Sequence, residues 1–140
     1  RFPNLDIELV PIFQDLLTTA GDYYDLTGRH LQVYGDLGEL YGAIVYGIKL
    51  HKNYAQGSDG KLGDHFVEVK TITPFKSSDT ITLNLKRNFS KVLIVKIDNH
   101  FEVQGKLIDR KTLPKVKGDT LRLNWDDFPS ESEGRIIGRD

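Results

Sequence analysis

Apolar residues fall at positions 5, 9, 12, 13, 16 and 17, which is the spacing of one helical face and predicts a helix from Leu5 to Ala20. Asn4 can cap its start and Gly21 can end it. Pro11 lies inside the pattern, so it either kinks this helix or delays its start. Asp22 to His30 reads as loop, and Leu31 to Tyr34 as a short extended piece. Asp36-Leu37-Gly38-Glu39 has the form of a capping box and predicts a second helix over residues 36–51. Its apolar positions run round most of the circumference, so it is expected to be well buried. Gly38 and Gly42 share one face of it. Glycine weakens a helix, and close approach of the backbone to a sheet or a ligand is a reason to have it there.

From residue 53 the signals are those of strands, over about 53–60, 64–72, 80–86, 90–98, 101–109 and 120–125. Turns are expected at Lys61–Gly63 and Asn99–His100, and polar loops at residues 73–79 and 114–119. Two helices followed by a run of strands predict an α+β or mixed α/β chain. Residues 1–128 are read as a single domain and 129–140, broken by Ser, Glu and Gly, as a flexible C-terminal tail.

Composition narrows the chemistry. With 39% hydrophobic and 28% charged residues among 140, the chain fits one globular domain. It has no cysteine, so disulfides and thiolate metal sites are excluded, and its four histidines have no zinc spacing. No apolar run reaches membrane length and no signal peptide is evident, so no membrane partner and a cytoplasmic location are expected. The net charge of -1 does not mark a nucleic-acid binder, but from Lys86 to Lys117 nine Lys or Arg face three Asp or Glu. That segment is either a set of solvated strand faces or a basic wall beside an acidic site.

The acidic site is expected in Gly57-Ser58-Asp59-Gly60-Lys61-Leu62-Gly63-Asp64-His65-Phe66-Val67-Glu68-Val69-Lys70. Side chains two apart along a strand share a face, so Glu68 and Lys70 are neighbours while Val67, Val69 and Thr71 point the other way. With a loop at Leu62–Gly63, Asp59 faces Phe66 across the hairpin and lies on the Glu68 and Lys70 side. A loop one residue longer would turn it away. Asp64 is expected in the turn, and His65 on the core face. Asp59 and Glu68 are hard oxygen ligands of the kind that select Mg²⁺ or Mn²⁺, and the Val69 backbone carbonyl is placed to join them. Lys70 beside them can orient or deprotonate an attacking water, or stabilise charge on the phosphorane. Each part also has a plain reading: Glu-x-Lys on a strand is usually a solvated pair, and Asp before Gly usually makes a turn.

Asp59 followed by Glu68-Val69-Lys70 resembles the PD-(D/E)xK nuclease superfamily, in the small bacterial nuclease-like part of it, with Ser58 where the motif has proline. The resemblance covers about residues 35–98. It implies a restriction-endonuclease-like core, a mixed central sheet flanked by helices, with Asp59, Glu68 and Lys70 as catalytic residues. It also implies a Mg²⁺ cofactor for which Mn²⁺ substitutes. A preceding helix in that family often adds an acid, and Glu39 matches that position, although a capping box would occupy the same side chain. The implied activity is a metal-dependent endonuclease, a hydrolase acting on double-stranded DNA in restriction or phage defence, possible as a homodimer. An RNA-directed nuclease, a toxin or a junction resolvase would use the same residues, and a non-catalytic nucleic-acid-binding module could keep the fold alone. Lys76, Lys86, Arg87 and Lys91 are expected to contact phosphates, with Gln56 and Ser58 beside the substrate.

Overall fold

A computed structural model of the chain describes residues 7–52 and 57–129. The expected cap at Asn4, the contact residue Gln56, the first half of the first predicted strand and all but the first residue of the 129–140 tail lie outside the described residues. The described chain is α+β, with two helices and a mixed sheet. None of the described helices is long and apolar enough to cross a membrane.

Helix α1 spans Leu9–Thr27, later at both ends than its spacing predicts. Pro11 is its third residue, in the first turn, where a backbone N–H has no intrahelical partner to lose. Gly21 does not end it. The helix continues through Gly21 under the Phe101 ring and stops at Gly28, whose φ of 71° lets its N–H reach the Tyr24 carbonyl at 2.7 Å. Residues 22–27, expected as loop, are therefore helical.

Helix α2 spans Tyr34–Tyr41, earlier than expected. Buried Tyr34 and Leu37 anchor its first turn, so packing rather than capping sets the start. Val33 takes the cap position without a side-chain bond, Asp36 falls inside the first turn, and the capping box does not form. The helix widens into a π-helical turn over Gly42–Tyr46 and ends at Gly47, φ 76°. The predicted continuation to residue 51 gives way to strand β1, Lys49–Leu50.

The remaining strands are β2 (Gly60–Leu62), β3 (His65–Ile72), β4 (Thr80–Asn84), β5 (Lys91–Ile97), β6 (Val103–Asp109) and β7 (Thr120–Asn124). Five of them form a sheet in the order β1-β2-β3-β5-β6, in which only β3 and β5 are parallel. Strands β4 and β7 pair separately as an antiparallel ribbon.

Both faces of the large sheet are covered, but by different layers. On one, Phe13, Leu17, Leu37, Tyr41 and Ile44 from the helical segments pack on Val67, Val69, Leu93, Val95 and Ile97. On the other, Ile81, Leu83, Leu121 and Leu123 of the ribbon pack with Trp125 on Ile72, Val92, Ile94 and Ile108. Among the described residues, helices therefore flank the sheet on one side only. The alternation in β4 and β7 explains the rest, since each has one apolar face that must be buried. Interior strand β5 has no such alternation, and Val92, Leu93, Ile94 and Val95 are all fully buried.

Gly38 brings α2 onto β3. A Cβ there would lie 2.0 Å from Thr71 Oγ1, so only glycine allows the approach. At Gly42 the Leu93 side chain would be 2.8 Å away. The two glycines serve close backbone approach to the sheet, and they set the turn of α2 that carries Glu39 against β3.

Candidate metal and phosphate site

The β2–β3 hairpin pairs Gly60 with Val67, Lys61 with Phe66 and Leu62 with His65. Its two-residue loop is Gly63–Asp64, not Leu62–Gly63, with Gly63 at φ 58° taking the first turn position. The register differs from the expected one by two residues. Because side chains alternate with period two, Asp59 keeps its face, and it moves from opposite Phe66 to opposite Glu68. Its N–H bonds the Val67 carbonyl at 3.0 Å. Val67 and Val69 are buried on the helix side, as the alternation requires. His65, by contrast, lies at the exposed end of β3 and bonds Ser90 Oγ at 2.8 Å instead of entering the core.

The Asp59 carboxylate continues what β2 leaves off. Oδ2 accepts the Val69 N–H at 2.7 Å. The N–H and C=O of one strand residue point to the same side, so the Val69 carbonyl also faces Asp59. Beside it, the Glu68 side chain is only about 5% exposed. Arg87 joins the two carboxylates: its Nε donates to Glu68 Oε1 at 3.0 Å and its Nη2 lies 3.6 Å from Asp59 Oδ1.

Arg87 is held by a second arginine. Arg110 donates to the carbonyls of Leu85 at 2.6 Å, Arg87 at 3.0 Å and Phe89 at 3.1 Å, with its guanidinium 4.3 Å from the Phe89 ring centre. Three main-chain acceptors on one guanidinium fix the loop after β4 and so the base of the Arg87 side chain. Neither contact has a local signal. Arg87 is 19 residues from Glu68 and Arg110 is 23 from Arg87, so only the basic character of the segment could have drawn attention to them.

The electrostatics gather the acids. Burial, then the charges of Asp59, Asp36 and Glu68, push the Glu39 carboxyl up from 4.5 to about 7. With no capping box to hold it, this half-buried side chain belongs electrostatically to the Asp59–Glu68 pair. Burial and then Asp59 raise the Glu68 carboxyl, while Arg87 and Lys70 pull it back. Such crowding of negative charge is a common mark of functional sites.

Lys70 is half-buried and acts on Glu68 through its charge. It also lines an open groove of about 620 Å³ with Thr82, Asn84, Lys86 and Thr120. Lys86 stands on the rim, 3.5 Å from Asp119. The other expected contacts are placed differently. Lys76 is exposed and bonds the Thr80 carbonyl. Lys91 pairs with Asp109 at 2.5 Å and follows Leu93 and Val95 in strand parity, on the sheet face away from Glu68. Ser58 is buried, its hydroxyl 3.5 Å from both His51 Nδ1 and the Gly60 carbonyl, so it is not presented to a ligand.

The basic segment is therefore largely committed within the fold. Lys96 pairs with Asp79 at 2.6 Å, and buried Lys106 bonds the Trp125 and Phe128 carbonyls at 2.8 and 2.6 Å. Lys111, Lys115 and Lys117 are exposed.

Among the described residues no three His, Cys, Asp or Glu side chains form a group that could hold a metal ion. Two carboxylates suffice for a magnesium ion, which keeps several of its waters. Asp59 and Glu68 already converge on one cation, the Arg87 guanidinium, and their oxygens are hard donors. The donor set thus fits a small divalent cation, with the Val69 carbonyl on the same side and Glu39 within electrostatic reach. No protein-family model matches the chain and no curated protein matches it, so its site geometry carries the functional reading.

Proposed function

We propose that this chain is a Mg²⁺-dependent endonuclease with a restriction-endonuclease-like core, hydrolysing phosphodiester bonds in double-stranded DNA. The observation that carries the reading is the convergence of Asp59 and Glu68 on one guanidinium, with Lys70 two residues further along β3. The succession of α2, the β2–β3 hairpin and β5 is also the order that the resemblance to PD-(D/E)xK nucleases implies.

In this reading Asp59, Glu68 and the Val69 carbonyl hold the cation, with Glu39 adding charge from α2. When bound, the cation polarises the phosphoryl group and acidifies a water. Lys70, on the face of Glu68, orients or deprotonates that water or stabilises the phosphorane charge. The groove beside Lys70 takes the backbone phosphate, with Lys86 at its rim. Purified protein should nick or cut duplex DNA with Mg²⁺ or Mn²⁺, and Lys70→Ala should abolish cutting with the circular dichroism and melting curve preserved. Cutting that survives Lys70→Ala or EDTA removes the mechanism. Branched DNA, single strands and transfer RNA in the same assay separate the resolvase and RNA-directed variants.

One observation favours a second reading. The Arg87 contacts are also those of a structural ion pair, and most basic side chains of the segment are engaged internally. A non-catalytic nucleic-acid-binding module would look like this. It wins if calorimetry finds no Mg²⁺ or Mn²⁺ binding while salt-sensitive DNA binding persists.

A further inference from the structure

We propose that Arg87 is an exchangeable counter-ion: it neutralises Asp59 and Glu68 in the free protein, leaves when a divalent cation binds, and then takes a substrate phosphate. The proposal rests on the metal-dependent reading of the site above.

Three observations support it. First, Glu68 is almost wholly buried and its carboxyl is crowded by Asp59, so the pair needs a positive partner whenever both carboxylates are ionised. Arg87 supplies that partner, through Nε to Glu68 and Nη2 towards Asp59. Second, a guanidinium and a divalent cation cannot share the same two carboxylates without like-charge repulsion at short range. One must leave, and the Arg87 side chain is about a third exposed, so it has a route to solvent. Third, the movement is confined. Arg110 fixes the carbonyls on either side of Arg87 and of Arg87 itself, so the arm swings while its base stays beside the Lys86 rim of the Lys70 groove.

A released guanidinium presents a planar fork of donors that matches a phosphate in two-point contact. Phosphate would thus offer Arg87 a second partner once the cation has displaced it. Cation and nucleic acid then help each other bind, and by linkage the gain is the same in either order. Empty, the site is closed by its own arginine.

The test measures binding, not cleavage. Mn²⁺ affinity of the full chain is taken by calorimetry and by electron paramagnetic resonance, for wild type, Arg87→Ala and Arg87→Gln. The glutamine variant keeps bulk and hydrogen-bond donors and serves if the alanine variant does not fold. Without DNA, loss of the charge should tighten Mn²⁺ binding about tenfold or more. Adding a phosphorothioate duplex that resists cutting should tighten Mn²⁺ binding in wild type and much less in either variant. Equal or weaker Mn²⁺ binding by the folded variants overturns the exchange and leaves the metal-dependent reading in place. Failure of wild type and variants alike to bind Mn²⁺ removes that reading, and the exchange with it.

Discussion

Replacing Glu39 by Gln should stabilise the metal-free protein at alkaline pH and leave it unchanged in acid. The Glu39 carboxyl titrates near 7 in the fold because burial, and then Asp59, Asp36 and Glu68, oppose its charge, whereas its ordinary value is 4.5. Between those values the folded chain keeps a proton that the unfolded chain has released, so stability falls as pH rises through that window. Below about 4.5 both states are protonated and the group costs nothing; above about 7 both are ionised and the whole cost is present. A gap of about 2.5 units corresponds to about 3 kcal/mol as an upper bound. Glu39 is partly exposed, and solvent screening trims this to roughly 1–3 kcal/mol. Glutamine keeps the shape and cannot ionise, so it should recover that amount near pH 8 and nothing near pH 4. For a chain of this size the gain at alkaline pH is a rise of roughly 3–10 °C in Tm. Urea and thermal melts of both proteins in EDTA, across the window, read it directly. Added Mg²⁺ should shrink the difference, because a cation relieves the same crowding. A gain as large in acid as in alkali, or no gain near pH 8, would show that Glu39 does not share the field of Asp59 and Glu68.

Other expectations test the frame around the site. Gly38→Ala should push α2 off β3, costing about 1–3 kcal/mol or more for overpacking, with partial recovery in the double variant with Thr71→Ala, measured by urea denaturation. Arg110→Ala should cost about 2–4 kcal/mol through three carbonyls losing their donor, and hydrogen exchange should show faster opening of residues 85–90. Lys106→Met should lower stability by about 2–4 kcal/mol, because the Trp125 and Phe128 carbonyls lose a buried ammonium, and a chemical denaturation curve checks it.

The strands were legible because their period is short and local. Ile81 and Leu83, or Leu121 and Leu123, announce one buried face each, and the unbroken Val92–Val95 run announces a strand buried on both. Helix limits were less legible. Gly21 reads as a stop, yet α1 runs on beneath Phe101, and Asp36 reads as a cap, yet buried Tyr34 and Leu37 begin the helix before it. In both cases packing between distant segments outweighs local preference. The placement of Asp59 with Glu68 survived a turn displaced along the hairpin, since parity depends only on whether the shift is even. Arg87 and Arg110 could be named as basic residues but not placed, because nothing local in a sequence says which carboxylate a distant arginine will meet.

The ribbon that backs the sheet has a temporal consequence. Among the described residues strand β4 finds its partner only in β7, and Asn84 pairs with Thr120 across 36 residues. The groove beside Lys70 takes one wall from each strand. On the ribosome, then, a growing chain can complete the Asp59–Glu68 hairpin long before the trough next to it exists. Whatever ligand that trough accepts, it must wait for the synthesis of β7, and a chain interrupted before Thr120 carries its charged residues without a place to use them.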